Sequence, residues 1–564
     1  MKTILLIFLI PLFTIFFNIS PDKDLEQLLN EAQKLQQERK YKSAAELALK
    51  IQNMARKAEK DIIFVQAVEI EINANKWFNY DSFDKVLERL DTHLEQPFGR
   101  TAALLRTYKI YGYKYWYNRH SYKLRNNADD GMLNDEPKAW SKHDIWKLID
   151  GEVGKIIALN STDRLTEREL KQLSMAREID GVVPHRVTDL GLLTAITSMS
   201  SFEGDYQYQL HNPYAPAETF ITTNLENEDN HPLAQAARYF THLLESQQGQ
   251  NATLQQHFDI KRLQYLYEKD EQYDKLKLWT AALSRQLENN TPAQTIAAAA
   301  LAKVYNTYAA QARANNAKKQ AVKWQNKAIK LCKDAIDEYP ESYGAVKCEK
   351  ILADIHRSFV QVQAQHHLLP GKPFPVRVQY KNQKWIKVRA YSISSKSLAM
   401  ADRTNRDVGI PKGEMLWEYK IELPSKPGFF SQDVIDLLPA LPKGFYFLDI
   451  QTEKKVTSAH AVMDELLVNS TNLATVTRPL KDNTRVLAID RTSGKQLKAC
   501  QADLFDMKYN YRSRSRSFEL IKHLEMEQGI LDLPHRQRID ILQLSKDGDT
   551  LLTRFNQNFF RQRN

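Results

Sequence analysis

Three thiols carry the sharpest reactivity in the chain. Cys332, Cys348 and Cys500 are its only cysteines, and a thiolate can act as nucleophile, metal ligand or half of a disulfide. None of them stands at metal-ligand spacing from a second ligand, and three cysteines in 564 residues are too few to staple a small secreted scaffold. The reading taken is of buried free thiols, with pairing of Cys332 and Cys348 across neighbouring helices left open.

Three further groupings invite a functional reading. His366-His367 sits where the sequence changes character, but a metal site needs further ligands and none is at hand. Between Tyr108 and Lys123 the chain alternates rings and cations: Tyr108, Tyr111, Tyr113, Tyr115, Trp116, Tyr117 and Tyr122 stand among Lys and Arg. Such a run fits a surface that stacks bases or sugars, and equally a helix whose rings pack inward while Lys and Arg stems cover the outside. The second reading is preferred. Arg512-Ser513-Arg514-Ser515-Arg516-Ser517 would meet phosphate or acidic lipid, but reads first as a basic exposed strand face. The sequence has no His-Glu-x-x-His, no Gly-x-Ser-x-Gly and no phosphate-binding glycine loop. No catalytic, cofactor-binding or metal-ligating residue is nominated, no cofactor is expected, and the expectation is a protein that is not an enzyme. The Asn160 and Asn251 sequons would carry little meaning if the host were bacterial.

The elements that hold these residues fall into two regimes. From residue 21 to residue 362 the chain reads as helix after helix. Leu28, Ala32, Leu35, Tyr41, Ala44, Ala48 and Ile51 place one stripe on each of two antiparallel helices, with a tight turn near Arg39-Lys40. This is the skeleton of a tetratricopeptide-like solenoid. It returns in part at Ala328, Cys332, Ala335 and Pro340, and in degraded form from Ile260 to Leu283. Asp129–Trp140 reads as a loop, Asp144–Ala158 as an amphipathic helix, and Thr166 with Glu169 as a capping box. Asn212–Pro232, rich in proline and acid, reads as an exposed linker or long loop.

At about Leu369 the period changes to two. Pro370-Gly371-Lys372-Pro373 punctuates, then Val376–Tyr380 alternates, and Ile386, Val388 and Ala390 oppose Trp385, Lys387, Arg389 and Tyr391. Trp417–Leu423, Gly444–Ile450 and Arg485–Ile489 follow, and Lys546-Asp547-Gly548-Asp549 marks a late hairpin before Thr550–Phe555. Short strands between regular turns mean antiparallel sandwiches. The expected division is a signal peptide at 1–20, a helical solenoid at 21–362, one β-sandwich at 363–465 and a second, truncated at its end, at 466–564.

Composition agrees with a multidomain globular protein: 43% hydrophobic and 26% charged residues exclude wholesale disorder. The net charge of +10 is spread along the chain, which favours solubility over a dedicated polyanion tail. Lys2 followed by the apolar run Ile4–Phe17, then Pro21-Asp22-Lys23-Asp24, has the layout of a secretory signal peptide with cleavage after Ser20. An uncleaved N-terminal anchor is the other reading. A lipoprotein anchor is not expected, because no cysteine follows the apolar run.

Leu369–Met463 resembles the early macroglobulin-type module of bacterial alpha-2-macroglobulin-like proteins. The likeness rests on the leading Pro-Gly-Lys-Pro, on Asn382–Tyr391, and on Leu438-Pro439-Ala440-Leu441-Pro442-Lys443-Gly444-Phe445-Tyr446, close to the family's Pro-Ala-Leu-Pro-x-Gly-x-Tyr turn. Asn472-Leu473-Ala474, Val486–Lys495 and Asp547–Leu551 are similar to the following module, and the helical region is similar to the N-terminal extension of Bacteroidetes-type members. The resemblance implies protease trapping, which in many members uses a Cys-Gly-x-Gln thioester. Here the cysteines are followed by Lys333, Glu349 and Gln501, so that motif is absent. The sequence also ends about where the family would run on into a Tyr-Arg-Pro-Gly segment.

The function expected is therefore an exported envelope protein: the N-terminal scaffold portion of an alpha-2-macroglobulin-like endopeptidase inhibitor, without thioester or bait. The alternative is a tetratricopeptide-type periplasmic adaptor that binds another envelope protein, and a third reading is a glycan or nucleic-acid binder. The partners expected are proteins: the missing C-terminal modules, proteases or an envelope partner. Nucleic acid is not expected, and membrane association would come through the envelope. The expected location is the periplasm or cell envelope, outer-membrane-associated or secreted.

Overall fold

The computed structural model describes residues 21–75, 82–124, 127, 136–178, 186–202, 210, 212–223, 231–269, 274–400, 412–453, 466–510, 515–534 and 539–554. The expected signal peptide at 1–20 lies outside them. The chain forms two compact units: one holds the residues up to Tyr305 with Ala328–Glu349, the other Asn306–Lys327 with the residues from Lys350 on.

The first unit is helical. It comprises α1 (Pro21–Gln37), α2 (Tyr41–Lys57), α3 (Asp61–Ala74), α4 (Phe83–Leu94), α5 (Thr101–Leu124), α6 (Lys142–Ala158), α7 (Glu167–Gln172), α8 (Val187–Met199), α9 (Ala217–Ile221), α10 (Pro232–Gln247), α11 (Ala252–Lys269) and α12 (Lys275–Gln286). The helices α13 (Gln294–Ala314), α14 (Lys318–Glu338) and α15 (Tyr343–His356) contribute to both units.

The first three helices turn back by one device. Arg39 and Glu59 both take positive φ, and the amides of Lys40 and Lys60 donate to the carbonyls of Leu35 and Ala55. This six-to-one bond closes each helix end that would otherwise leave carbonyls unpaired. It sits where the sequence placed the tight turn. Ala32, Ala44, Ala48 and Ile51 are fully buried as expected, while Leu28, Leu35 and Tyr41 flank the seam and Leu25 and Leu29 fill it. The capping box also forms, with Thr166 Oγ1 accepting from Glu169 N at 3.2 Å and Thr166 N donating to Glu169 Oε2 at 2.7 Å.

The expected linker at Asn212–Pro232 is corrected by the structure. Residues 224–230 lie outside the described chain, but Pro213, Tyr214 and Ala215 are buried and lead into α9. Arg262, with no exposed surface, causes this. Its Nη1 donates to Pro213 O at 2.6 Å, its Nη2 to Ala215 O at 2.8 Å and its Nε to Asp259 Oδ1 at 2.8 Å. The guanidinium lies 4.1 Å from the Phe220 ring centre, and Arg285 donates to Tyr214 O at 2.7 Å. Backbone carbonyls buried by a proline-rich segment need donors, and two arginines supply them.

The second unit contains two β-sandwiches. The strands of the first are β1 (Phe359–Ala364), β2 (His367–Leu368), β3 (Phe374–Lys381), β4 (Trp385–Ile393), β5 (Met415–Glu422), β6 (Gln432–Leu438), β7 (Gly444–Thr452) and β8 (Leu466–Ser470), with the short helix α16 (Ser395–Met400) after β4. Sheet β1-β3-β6 closes on sheet β2-β8-β7-β4-β5 around Val360, Val376, Val378, Ile386, Val388, Leu438 and Leu448. All pairings are antiparallel except β2 with β8. The second sandwich has β9 (Leu473–Pro479), β10 (Asn483–Asp490), β11 (Ala499–Asn510), β12 (Ser515–Glu527), β13 (Ile530–Pro534), β14 (Ile541–Lys546) and β15 (Asp549–Arg554). Its sheets are β9-β10-β13 and β12-β11-β14-β15, and its core includes Leu473, Val486, Ala502, Leu533, Leu542, Leu544 and Leu551.

With the two-residue β2 set aside, both sandwiches have the same topology. In each, the first, second and fifth strands make the small sheet, with the second central. The fourth, third, sixth and seventh make the large one in that order. Two expected boundaries move. Residues 359–364 are not the end of the helical region but β1, since Val360 and Val362 point into the sandwich core. Residues 466–470 are not the start of the second sandwich but β8, the last strand of the first, paired along β7.

The helices meet the first sandwich within this unit. Asn382, at positive φ in the β3–β4 turn, donates from its amide to Ile355 O at 3.3 Å and Arg357 O at 3.0 Å, capping α15. Phe429 N donates to Gln325 Oε1 at 2.7 Å, and its ring meets His356 edge to face at 4.3 Å.

Replacing Arg262 by Met should lower the stability of the helical unit by about 3–5 kcal/mol, because Asp259 and two carbonyls lose a buried partner. The urea midpoint followed by circular dichroism checks this. A loss below about 1 kcal/mol would mean that water replaces the guanidinium.

Candidate functional site: the junction of the two sandwiches

The residues singled out from sequence scatter. Cys332, Cys348 and Cys500 are all buried and free. Burial pushes the Cys500 thiol up from its ordinary pKa, and its Sγ lies 3.5 Å from Met526 Sδ. His367 lies on β2, its pKa lowered by burial, then by Arg491 and His366. Among the described residues no three His, Cys, Asp or Glu side chains gather as a metal site would require. Arg512–Arg514 lie outside the described residues, and Ser515–Ser517 open β12. Among the described residues no helix is long and apolar enough to cross a membrane.

The aromatic-basic run becomes α5, which packs against α6 and α8. Tyr108, Tyr113, Trp116 and Tyr117 are buried, with Trp116 stacked on Phe83 at 5.2 Å and edge-on to Trp140 at 5.5 Å. Tyr115 and Tyr122 face outward. The cations do not simply cover the outside. Lys109 is buried between Asp91 at 2.6 Å and Glu152 at 3.5 Å, and Arg106 reaches Glu152 at 2.8 Å. Burial alone would raise the Glu152 carboxyl, but Lys109, Arg106 and Lys155 hold it below the ordinary carboxylate range.

At the start of α5, Arg100 joins three elements. It grips Asp61 of α3 at 2.7 and 2.9 Å, Glu169 of α7 at 2.6 Å and the Arg164 carbonyl at 2.7 Å. Burial would raise the Glu169 carboxyl, but Arg100 and the Thr166 cap bring it down to about 2. Nearby, burial first and then Arg89 and Arg56 bring His93 down to about 4.

Among the described residues the two sandwiches converge on a polar cluster at the peptide between β8 and β9, whose segments the sequence offers only as separate family-like stretches. Asn472 uses every polar group it has. Its N–H donates to Asp549 Oδ2 at 2.8 Å, its carbonyl accepts from Arg491 N at 2.7 Å, its side-chain oxygen accepts from Thr492 Oγ1 at 2.5 Å and its amide donates to Asp490 Oδ2 at 2.5 Å. Asn469, buried on β8, acts as a substitute peptide between the modules. It accepts from Leu552 N at 3.2 Å and donates to Thr550 O at 3.0 Å and Gly444 O at 3.2 Å. Phe445, Ile541 and Leu552 form a small shared core, flanked by Ile393 and Phe505. The signals available were the Asp-Gly turn, where Asp547 and Gly548 both take positive φ and so deliver Asp549, and the Arg491-Thr492-Ser493-Gly494 turn beside it. The arrangement ties the two sandwiches of this unit together through the peptide that joins them.

No protein-family model matches the sequence, and no curated protein matches it. Among solved structures the chain has a distant similarity to native alpha-2-macroglobulin from Escherichia coli. Against the fragment spanning domains MG0-NIE-MG1 the identity is 15% and the TM-score 0.27, over 35% of this chain and 64% of that one. The chain thus spans less than two thirds of that structure. Against the NIE-MG1 fragment the identity is 14% and the TM-score 0.26, over 35% and 97%. The N-terminal part of the bacterial S-layer protein SbsC aligns at 9% identity with a TM-score of 0.14, over 77% and 99%.

Two predictions follow from these contacts. Replacing both Asn469 and Asn472 by Ala should free the sandwiches from one another, each change costing about 1–3 kcal/mol of buried hydrogen bonding. Calorimetry should then resolve two β transitions, and limited proteolysis should cut near Thr471. The helical unit should lose stability in acid in two stages. His93 has a folded pKa below its unfolded one, so its contribution is whole above pH 6.5 and is lost as pH falls toward 4. Glu169 contributes fully above pH 4.5 and loses that contribution as pH falls toward 2. His93→Phe, which keeps the edge contact with Phe64, should flatten urea midpoints between pH 7 and 4 while leaving the lower stage.

Proposed function

We propose that this chain is an exported envelope protein that serves as the N-terminal scaffold portion of an alpha-2-macroglobulin-like endopeptidase inhibitor. It would present surfaces to further modules or to a partner and would carry out no chemistry itself. The observation that supports this reading most is the repetition of one strand order in two adjacent sandwiches joined by the Asn472 clamp. The family-like residues fall at turns that build those sandwiches. Pro442-Lys443-Gly444-Phe445-Tyr446 enters β7, where Tyr446 donates its hydroxyl to Pro442 O at 3.1 Å, and Asp547-Gly548 closes the β14–β15 hairpin. On this reading the buried thiols, none followed by Gly, take no part in trapping.

The tetratricopeptide-type adaptor is the competing reading, favoured by the repeated turn chemistry at Arg39 and Glu59. An immunoblot of native cell envelopes, with an antibody raised against the helical region, separates the two. A denaturation-resistant band far above 65.4 kDa would support the scaffold of a longer inhibitor. A single band at or just below that mass would replace it with the adaptor.

A further inference from the structure

The helices α14 and α15 are consecutive and joined by a short turn at residues 339–342, closed by Ser342 N donating to Tyr339 O. Cys332 lies six residues before the end of α14 and Cys348 five residues after the start of α15. At 1.5 Å per residue these are roughly 9 and 7.5 Å from the turn, so the two Cα atoms stand at nearly one level. Both side chains have no exposed surface. The thiols hydrogen-bond to one another, which pushes the Cys332 proton to be held more tightly and the Cys348 proton less.

Small buried residues neighbour both cysteines along their helices. Ala328 and Ala335 flank Cys332 on its stripe, and Ala345 precedes Cys348, all buried. At the turn, Ser342 Oγ lies 2.9 Å from Thr295 Oγ1 and accepts from Ala345 N at 3.2 Å. Gly344 packs so closely that a Cβ there would come within 2.2 Å of the Thr295 backbone. A disulfide needs Cα atoms within about 7 Å, and the hydrogen bond between the two buried thiols sets their sulfurs side by side at the same level of the two helices.

We propose that Cys332 and Cys348 are a dithiol couple that oxidises to a disulfide closing α14 onto α15. The oxidant is a disulfide, small-molecule or protein. One thiolate attacks it and releases one thiol, and the second thiolate then displaces the other; two electrons pass to the incoming disulfide and both protons leave on the released thiols. Because both sulfurs are fully buried, exchange occurs during folding or on opening of the helix pair. Cys500, seated against Met526 in the second sandwich, stays a thiol.

The test refolds the full chain in glutathione buffers, one strongly oxidising and one reducing, then blocks free thiols with iodoacetamide in denaturant and maps tryptic peptides. In the oxidising arm a Cys332–Cys348 linked peptide should appear, sensitive to dithiothreitol, with alkylation confined to Cys500, and the thermal midpoint should exceed that of the reduced arm by several degrees. Cys500→Ala should keep the link. Alkylation of all three cysteines in both arms, or a link that involves Cys500, would overturn the proposal. The unmodified chain decides the matter, so the result does not depend on whether a Cys332→Ala variant folds.

Discussion

The relation between the two sandwiches depends on Asn472. Two sandwiches joined by a flexible peptide would sample many angles, and the shared apolar core of Phe445, Ile541 and Leu552 is too small to hold them alone. The linker removes that freedom. Its amide, carbonyl and both side-chain atoms are bonded to Asp549, Arg491, Thr492 and Asp490 of the following sandwich. The peptide that leaves the first sandwich is thus built into the second. Once the linker is fixed, the Asn469 bonds to Thr550 and Leu552 form at high effective concentration and need little intrinsic strength. Either asparagine alone would leave a hinge; together they define one orientation within the unit.

The helical unit solves a different problem. The helices α3 and α8 are buried on nearly every side, so apolar contact alone would let them slide or rotate against their neighbours. Polar groups at the helix starts remove that degeneracy. Arg100 binds the first turns of α3 and α7 from the start of α5, and Arg262 binds a segment far away in sequence. These ion pairs fix register and angle more than they add stability, since charges taken from water recover little net energy.

The legible parts of the sequence were those with a local period. Ile386, Val388 and Ala390 all point inward, as alternation requires, and the Ala32–Ala48 stripe is the seam of a real hairpin. Boundaries were less legible. In β1 only Val360 and Val362 are inward and nearly fully buried, directly after a helix, so the period of two had too few turns to register. β8 was assigned to the second sandwich because nothing local distinguishes a last strand from a first. The Arg262 pocket could not have been read at all: prolines and acids spell a loop, and the donor that buries it stands 49 residues away. The Asn472 clamp has the same character, since its four partners come from two turns that meet only in the fold.

The net charge of +10 does not come from the cations that the structure shows in ion pairs. A polyanion site needs cations whose charge reaches solvent. In the most basic helical segment, Arg106 and Lys109 spend their charge on Glu152 and Asp91, and Arg100 spends its own on Asp61 and Glu169. Arg262 is neutralised by Asp259 at full burial, and Arg56 lies over the Phe64 and Phe98 rings. On the sheets, Arg389 and Lys387 share Glu418, and Arg485 is bidentate to Asp532. Cations committed in this way hold helices and strands in register, and the surplus of +10 resides on other side chains. The rings of α5 follow the same logic, since those with the largest buried surface, Tyr108, Tyr113 and Trp116, cannot stack on a ligand while they pack the core. A sequence feature that reads as a binding surface is, in this fold, mostly the means by which a helical scaffold is held rigid.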